Sequence, residues 1–523
     1  MLRKRCAGPL LLVLLTVTGC QLTQSAFSRT VGNAGAVFSA ASTTLSYAHE
    51  GKITSAYAQA SFVNYQSELD GLDQQLPSQQ GAPDKRTVQH LRIMSLAGAG
   101  CGFEPCKPGI PDGRWVMKKW LSITLGIVTA TGGFLDAGTI ATSGESGARF
   151  GLGLIWACLI ATVAIILLVE MMGRFSAISK KTYAEAIREN FGFKFYLLPL
   201  LSEVIAESIL LAAEIGGIAI ALSLMTGISW RILFPPAAFL VFAMAWRAPF
   251  DWIENAPALL GLVTLSFIVG IIALGGPSHQ LLSTLWKPEV KQGELADYLY
   301  LVAATLGATI SPYLLYFYSS GAREEHWTSN SLLLNRVTAI VGMSFGSLGS
   351  IALIFLGAMV LQPLNMQGSS LGELGLSMAK ALGPFGALLF AVALFATCLG
   401  AALEVVLGVS YNIAQGFGWE WGEDKKPVEA ARFNLVLIIF LLVAVAIGLM
   451  GIDPLQLALA GSTVIALFLP ISLFPFLVLM NDPQYLRDKT NGRFSNIAII
   501  CILLIAFVVA FVSIPLEILS GGG

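Results

Sequence analysis

Two apolar segments that are broken in the middle constrain this chain more than any other feature. Residues 131–142 (TGGFLDAGTIAT) and 307–314 (GATISPYL) each lie in a stretch apolar enough to span a bilayer, yet each holds glycine or proline beside small polar side chains. A backbone group left unpaired at membrane depth costs several kcal/mol unless it lines a cavity or binds a ligand. Interrupted segments at corresponding positions of two halves indicate the binding site of a secondary transporter.

The chain as a whole has the composition of an integral membrane protein. Of its 523 residues, 55% are hydrophobic and 12% are charged, which excludes a soluble fold. From about residue 120 onward, about eleven segments approach the ~20-residue spanning length. They lie near residues 121–142, 151–171, 196–223, 230–246, 257–275, 299–320, 335–361, 384–412, 432–450, 455–480 and 495–516. The sequence therefore predicts an all-α membrane protein.

The distribution of basic residues predicts how these segments are oriented. Most Lys and Arg residues fall on the side of Lys118 and Lys119, so we expect the transporter domain to begin in the cytoplasm and to end outside. The broken segments are the first and the sixth of the set. An offset of five with opposite starting orientations predicts two inverted five-helix repeats, the LeuT-type architecture.

The N-terminal region has a different character from the rest. Residues 1–20 combine a basic start, a short apolar run and small residues before Cys20, which is typical of a lipoprotein signal segment. Residues 21–116 are polar and contain no apolar span. A translocated segment there would conflict with a cytoplasmic start at Met117, so we interpret residues 1–116 as a misassigned start or a fusion. A short cytoplasmic extension is the alternative. The transporter domain is predicted over 117–523.

The first broken segment places a carboxylate, Asp136, at the predicted depth of the bilayer centre. A carboxylate there is costly, and by default it indicates a functional role. We expect it to form an oxygen-only ligand set with groups that the two breaks expose, namely the carbonyls of Ala137 and Ala308 and the hydroxyls of Thr139 and Ser311. Such ligands suit hard cations such as magnesium, calcium or manganese, whereas softer transition metals favour sulfur or imidazole.

Several of these polar residues also have a purely structural interpretation. Asp136 could serve only as the N-cap of the second half of its helix. Thr139 and Ser311 could each donate a hydrogen bond to a backbone carbonyl of their own helix. For Glu170 we expect an interfacial position beside Arg174, four residues later on the same helix.

Further acids are embedded in the spanning segments. Glu203, Glu207 and Glu214 are spaced by four and seven residues, so a helix would carry all three on one face. Several embedded carboxylates with few embedded bases predict a cation path or a proton relay. Glu207, Glu214 and Glu145 are the candidates for that path. The alternative for Glu203 and Glu207 is burial in the protonated form.

Several motifs over about residues 118–516 resemble those of the Nramp family of divalent-metal transporters. Residues 136–142 (DAGTIAT) resemble the family's Asp-Pro-Gly-Asn-x-Ala-Thr, and residues 307–313 (GATISPY) resemble its Gly-Ala-Thr-x-Met-Pro-His. Three further segments are similar to the family's sequence after the first break, its second helix and the amphipathic segment that follows: 147–156 (GARFGLGLIW), 170–174 (EMMGR) and 183–188 (YAEAIR). The motifs are specific together, although each alone is weak.

The resemblance also shows departures at the positions that hold the metal. In the family these are an aspartate, an asparagine, an alanine carbonyl and a methionine, which correspond here to Asp136, Thr139, Ala308 and Ser311. Hydroxyl groups thus replace both the amide and the thioether. The loss of sulfur implies a weaker preference for manganese and iron over calcium and magnesium.

The resemblance implies changes along the ion pathway as well. The family's histidine linked to proton movement is Tyr313 here, its third-helix glutamate is Glu214, and Ser462 stands where a glutamine is often found. Glu145 replaces a position usually occupied by glutamine, which adds negative charge near the external mouth. The pattern is similar to that of divergent Nramp-related proteins that carry magnesium or aluminium.

Together these observations predict a secondary transporter that moves divalent cations by alternating access, with selectivity shifted towards harder ions such as magnesium. Protons are the candidate coupling ion. We expect no enzymatic activity and no resident cofactor. The sequence shows no P-loop, which argues against a primary pump, and no basic stripe that would indicate a nucleic-acid partner. The expected location is the bacterial inner membrane. An ion-coupled carrier of a small organic solute and a metal-binding protein that does not transport are the alternatives.

Overall fold

Helices make up all the regular structure that is described. The computed structural model describes residues 135–247, 262–285, 290, 294–364, 366–368, 370–422 and 428–520, and no strand occurs among them. The helices are α1 (Ala137–Phe150), α2 (Ile155–Ser179), α3 (Tyr183–Phe191), α4 (Phe193–Thr226), α5 (Trp230–Arg247), α6 (Ser266–Ala273), α7 (His279–Ser283), α8 (Leu295–Thr309), α9 (Pro312–Glu324), α10 (Leu332–Leu356), α11 (Leu371–Phe417), α12 (Ala431–Gly448), α13 (Pro454–Met480), α14 (Pro483–Leu486) and α15 (Arg493–Ser520). A π-helical turn, Gly357–Leu361, follows α10.

Eight of the described helical segments are long and apolar enough to cross a membrane. They are Ile155–Ser179, Phe193–Thr226, Leu295–Glu324, Ser329–Leu364, Leu371–Phe417, Ala431–Gly448, Pro454–Met480 and Arg493–Pro515, and two shorter apolar helices are Trp230–Trp246 and Leu262–Ala273. The predicted all-α membrane fold is therefore confirmed. The count of eleven spanning helices stays a prediction, because the first half of the first broken segment lies outside the described residues.

The predictions for the N-terminal region also fall outside the described residues. These predictions are the signal-like segment at 1–20, the polar extension at 21–116 and the start of the transporter domain at 117. All three remain expectations from the sequence.

Local sequence sets where individual helices begin, end or bend. α3 begins after a reciprocal capping box, in which the Thr182 hydroxyl accepts the Glu185 N–H and the Glu185 carboxylate accepts the Thr182 N–H. α11 bends sharply at Gly383, where φ is +65°, a left-handed conformation that glycine adopts without steric cost. The predicted span 384–412 is therefore the part of α11 that follows the bend.

The two broken helices run in opposite directions along each other. Near the start of α1, a Cβ built on Gly138 would lie 3.4 Å from the Cβ of Ala308, which is close to the end of α8. Near the end of α1, Arg149 forms an ion pair with Asp297, which is close to the start of α8. Antiparallel contact between the first and sixth spanning segments is the arrangement that inverted repeats require.

The remaining long helices surround this antiparallel pair. α4 packs against α11 and α13, and α13 packs in turn against α8. α10 packs against both α1 and α2. The acids of α4 and the polar residues of α13 are thereby brought to the breaks in α1 and α8.

Candidate metal site

The first break is centred on Asp136, whose two carboxylate oxygens have different environments. The residue has an extended backbone (φ −119°, ψ 177°) and precedes α1 as its N-cap. Its Oδ1 accepts hydrogen bonds from the backbone N–H and the hydroxyl of Thr139, each at 2.6 Å. Its Oδ2 is buried and has no hydrogen-bond partner among the described residues. The capping role is therefore real but uses only one oxygen, and it leaves the second for a ligand.

The second break lies between α8 and α9. α8 ends at Thr309, Ser311 has an extended backbone (φ −78°, ψ 127°), and Pro312 opens α9 at a position where its missing N–H costs nothing. The Ser311 hydroxyl donates to the carbonyl of Ala308 at 3.0 Å. This is the local bond that the structural interpretation of Ser311 required. The Ser311 hydroxyl oxygen and the Ala308 carbonyl oxygen each have a further lone pair, so both can still contact a cation.

The two breaks meet at Gly138. A Cβ built on this glycine would lie 2.6 Å from the Ser462 hydroxyl and 3.3 Å from Asp136 Oδ1, besides its contact with Ala308. The Ser462 hydroxyl is buried and has no hydrogen-bond partner among the described residues. Asp136, Ala308 and Ser462 thus surround Gly138, and the Ser462 hydroxyl is the unpartnered oxygen that lies against it.

Glu214 holds the first turn of α1 in place. Its two carboxylate oxygens accept the backbone N–H of Ala137 at 2.9 and 3.1 Å across the interface between α4 and α1. This N–H is one of the donors that a helix N-terminus leaves unpaired, and a carboxylate is favoured there. Cys398 of α11 lies close by, since a Cβ on Gly217 would lie 2.4 Å from its sulfur.

Ala137 differs from the sequence expectation. The sequence predicted a freed carbonyl at this residue, but α1 begins at Ala137, so its carbonyl belongs to the first helical turn. The physical reason is that Asp136 caps the helix one residue earlier than an unwound stretch would allow. Ala137 takes part in the site through its N–H, which points to Glu214.

Glu207 and Tyr313 lie on the side of the second break. Glu207 is fully buried, and neither of its oxygens has a hydrogen-bond partner among the described residues. Tyr313 is the second residue of α9, and its side chain is 1% exposed. Glu207 lies near the backbone N–H of Tyr313. Both residues border the site, whereas the proton path predicted for them stays a prediction.

Glu145 lies away from the breaks, towards the end of α1. Arg149 donates to its carboxylate at 3.1 Å and also pairs with Asp297 at the start of α8. One guanidinium thus pairs with two carboxylates, so Glu145, Arg149 and Asp297 together keep one formal negative charge. The ion pair between Arg149 and Asp297 joins residues 148 positions apart and was not predicted from the sequence.

The ion pair between Arg149 and Asp297 is expected to contribute more to the free energy of unfolding than the ion pair between Arg149 and Glu145 within α1. A double-mutant cycle with R149M and D297N, read from thermal unfolding in detergent, should give a coupling of about 1 kcal/mol, at the upper end for partly exposed ion pairs. The cycle of R149M with E145Q should give about 0.3–0.5 kcal/mol, as for other pairs four residues apart on a helix. Equal coupling in the two cycles would contradict this assignment.

The site offers oxygen ligands rather than a cluster of classical metal ligands. Among the described residues, no group of three or more His, Cys, Asp or Glu side chains is placed to hold a metal ion. A cation at the breaks would rely on one carboxylate oxygen, from Asp136, and on neutral oxygens from Thr139, Ala308, Ser311 and Ser462. Such a donor set fits a hard cation that keeps part of its water shell.

Comparison with known proteins gives both a family and a fold. Residues 126–515 match the Nramp family profile, described as natural resistance-associated macrophage protein-like. A solved manganese transporter from Eremococcus coleocola, in complex with an aromatic bis-isothiourea substituted compound, is 21% identical, with a TM-score of 0.63 over 77% of this chain and 88% of that chain. A nucleobase-cation-symport-1 family transporter with bromovinylhydantoin bound is 12% identical, with a TM-score of 0.52 over 75% and 92%.

A Na⁺-coupled sialic acid symporter in its substrate-bound outward-open state has the same fold. It is 14% identical, with a TM-score of 0.51 over 74% of this chain and 89% of that chain. At such identities these structures show the fold alone, and the fold is of the LeuT type, as the two broken segments predicted. The family match spans both breaks and the long helices around them. The chain is therefore an integral membrane protein that belongs to the Nramp family of divalent-metal transporters.

Proposed function

We propose that this protein moves divalent cations across the membrane by alternating access, with selectivity shifted towards hard ions such as magnesium. The observation that carries the proposal is the unpartnered Oδ2 of Asp136, a fully buried residue at the first break. A buried carboxylate oxygen without a partner is costly, and a bound cation removes that cost. We place the transporter domain in the bacterial inner membrane with its N-terminus in the cytoplasm.

The surroundings of Asp136 support the preference for hard ions. Thr139 and Ser311 supply hydroxyl oxygens, and both lie within hydrogen-bond distance of another site oxygen. No sulfur atom stands at either position. Magnesium and calcium bind oxygen ligands almost exclusively, whereas manganese and iron gain more from a soft ligand.

Uptake into proteoliposomes tests the proposal. Wild-type protein is supplied with magnesium, manganese or calcium outside, with and without a proton gradient. We expect magnesium uptake at a rate at least comparable to that of manganese. Comparison of the uptake rates with and without the proton gradient determines whether protons are the coupling ion. Absence of uptake for all three metals would refute the proposed transport.

Restoring a sulfur atom at the second break should change the selectivity. For S311M we expect the ratio of manganese to magnesium uptake to rise about tenfold, the change that about 1.4 kcal/mol of differential binding produces. S311L is the matched control, because leucine has nearly the volume of methionine but no sulfur. If S311M and S311L give the same ratio, the missing thioether does not set the selectivity.

A further inference from the structure

A second group of buried acids lies on α4, and it begins at the edge of the central site. Glu203 is 2% exposed and Glu207 is fully buried, and they are four residues apart on the same helix face. Among the described residues, neither side chain forms an ion pair with a lysine or an arginine. Two neighbouring carboxylates without a base need either protons or a bound cation for neutrality.

Four oxygen atoms in this region are buried and lack hydrogen-bond partners among the described residues. They are Oε1 of Glu203, both carboxylate oxygens of Glu207 and the hydroxyl of Tyr316. Tyr316 is 1% exposed, and it lies close to Glu203 and to the Asn412 side chain. Such atoms are rare in folded proteins, and several together need a proton, a water molecule or a cation to offset the cost of their burial.

The remaining oxygen of Glu203 belongs to a fixed network. The Asn412 amide group donates to Oε2 of Glu203, and the Tyr196 hydroxyl donates to the Asn412 carbonyl oxygens of both main chain and side chain. Tyr196 thereby determines which end of the Asn412 amide faces Glu203. The carboxylate is held through Oε2, and Oε1 has no hydrogen-bond partner among the described residues.

This group extends from Glu207, which borders the central site, to Glu203, which lies one turn further from it. Glu214, which bonds to Ala137, lies seven residues from Glu207 and eleven from Glu203. At the helical rise these separations are about 10 Å and about 16 Å along α4. Both acids lie towards the end of α4 at Phe193, which is the cytoplasmic end in the orientation proposed above.

We propose that Glu203, Glu207 and the Tyr316 hydroxyl form a second divalent-cation site, on the path between the central site and the cytoplasm. This inference rests on the proposed function. The two carboxylates supply the charge that balances one divalent ion, and all the ligand atoms are oxygens, which suits magnesium or calcium. The charge of an ion that leaves Asp136 towards the cytoplasm would then be balanced by Glu203 and Glu207.

Binding stoichiometry of the purified full-length protein tests the second site. We expect isothermal titration with magnesium chloride to give about two ions per chain for the wild type and about one for the E203Q/E207Q double variant. The D136N variant should retain about one ion, bound at the second site. E170Q is the matched control, because Glu170 already pairs with Arg174 and its loss should leave the stoichiometry unchanged.

The possible results separate this inference from the proposed function. One ion per wild-type chain, lost in D136N and unaffected in E203Q/E207Q, would overturn the second site and leave the proposed function intact. No binding by any variant would overturn both. Glutamine has nearly the shape of glutamate, and size-exclusion chromatography and thermal unfolding verify that E203Q/E207Q is folded. If E203Q/E207Q matches the wild type in stoichiometry, the two acids are a protonated pair.

Discussion

Uptake of magnesium and manganese is expected to fall at least about 100-fold in D136N, since even the loss of an outer-sphere partner costs up to that factor at metal sites. Asparagine keeps an oxygen that can accept the Thr139 N–H, so the cap on α1 remains. It replaces the unpartnered Oδ2 with an amide group and removes the negative charge. The variant therefore separates the ligand role of Asp136 from its capping role.

D453N is the matched control for this experiment. Asp453 is also an N-cap, because its side chain accepts the Leu455 N–H at 2.8 Å at the start of α13. The same substitution there keeps a cap and changes the same charge outside the site, so uptake should stay near the wild-type rate. Full uptake by D136N, with both variants folded, would contradict metal binding by Asp136.

A methyl group at Gly307 is expected to destabilise the fold strongly. A Cβ built on this glycine would lie 1.8 Å from the backbone carbonyl oxygen of Ser462, and backbone cannot move aside cheaply. In a helix, alanine is ordinarily better than glycine by about 1 kcal/mol. Overpacking costs about 1–3 kcal/mol and sometimes more, so the contact between α8 and α13 should outweigh the gain in propensity. We expect G307A to be destabilised by about 2 kcal/mol or to misfold.

Thermal unfolding in detergent and size-exclusion chromatography measure this effect. G492A is the control, since a Cβ on Gly492 meets nothing within 4 Å. It should leave the unfolding temperature unchanged. An unfolding temperature for G307A at or above that of the wild type would show that α8 and α13 do not pack as closely as described here.

Local features of this fold could be predicted from the sequence because they depend on neighbours along the chain. The breaks follow from glycine and proline inside apolar stretches, and the pairing of Glu170 with Arg174 follows from their spacing of four residues. The carboxylates of Glu203, Glu207 and Glu214 lie on one helix, as their spacing indicated.

Contacts between distant parts of the chain could not be predicted in this way. The bond from Ala137 to Glu214 and the pair of Arg149 with Asp297 each join residues far apart in sequence, and periodicity carries no information on partners across helices. The carbonyl of Ala137 was misplaced because a one-residue shift in a helix start is below the precision of sequence reasoning. A polar Asn412 in an apolar stretch was the available signal for the network around Glu203.

The two ends of α1 are held by contacts of unequal strength, so we expect the two ends to differ in how easily they move. At its start, the Glu214 carboxylate accepts a hydrogen bond from the Ala137 N–H at a fully buried position, where water does not compete for either partner. At its end, Arg149 and Asp297 are each about a quarter exposed, at 22% and 26%, so water can replace their pairing at low cost. A tilt of α1 would therefore break the exposed pair of Arg149 and Asp297 first and pivot about the end that carries Asp136, so Asp136 would move least.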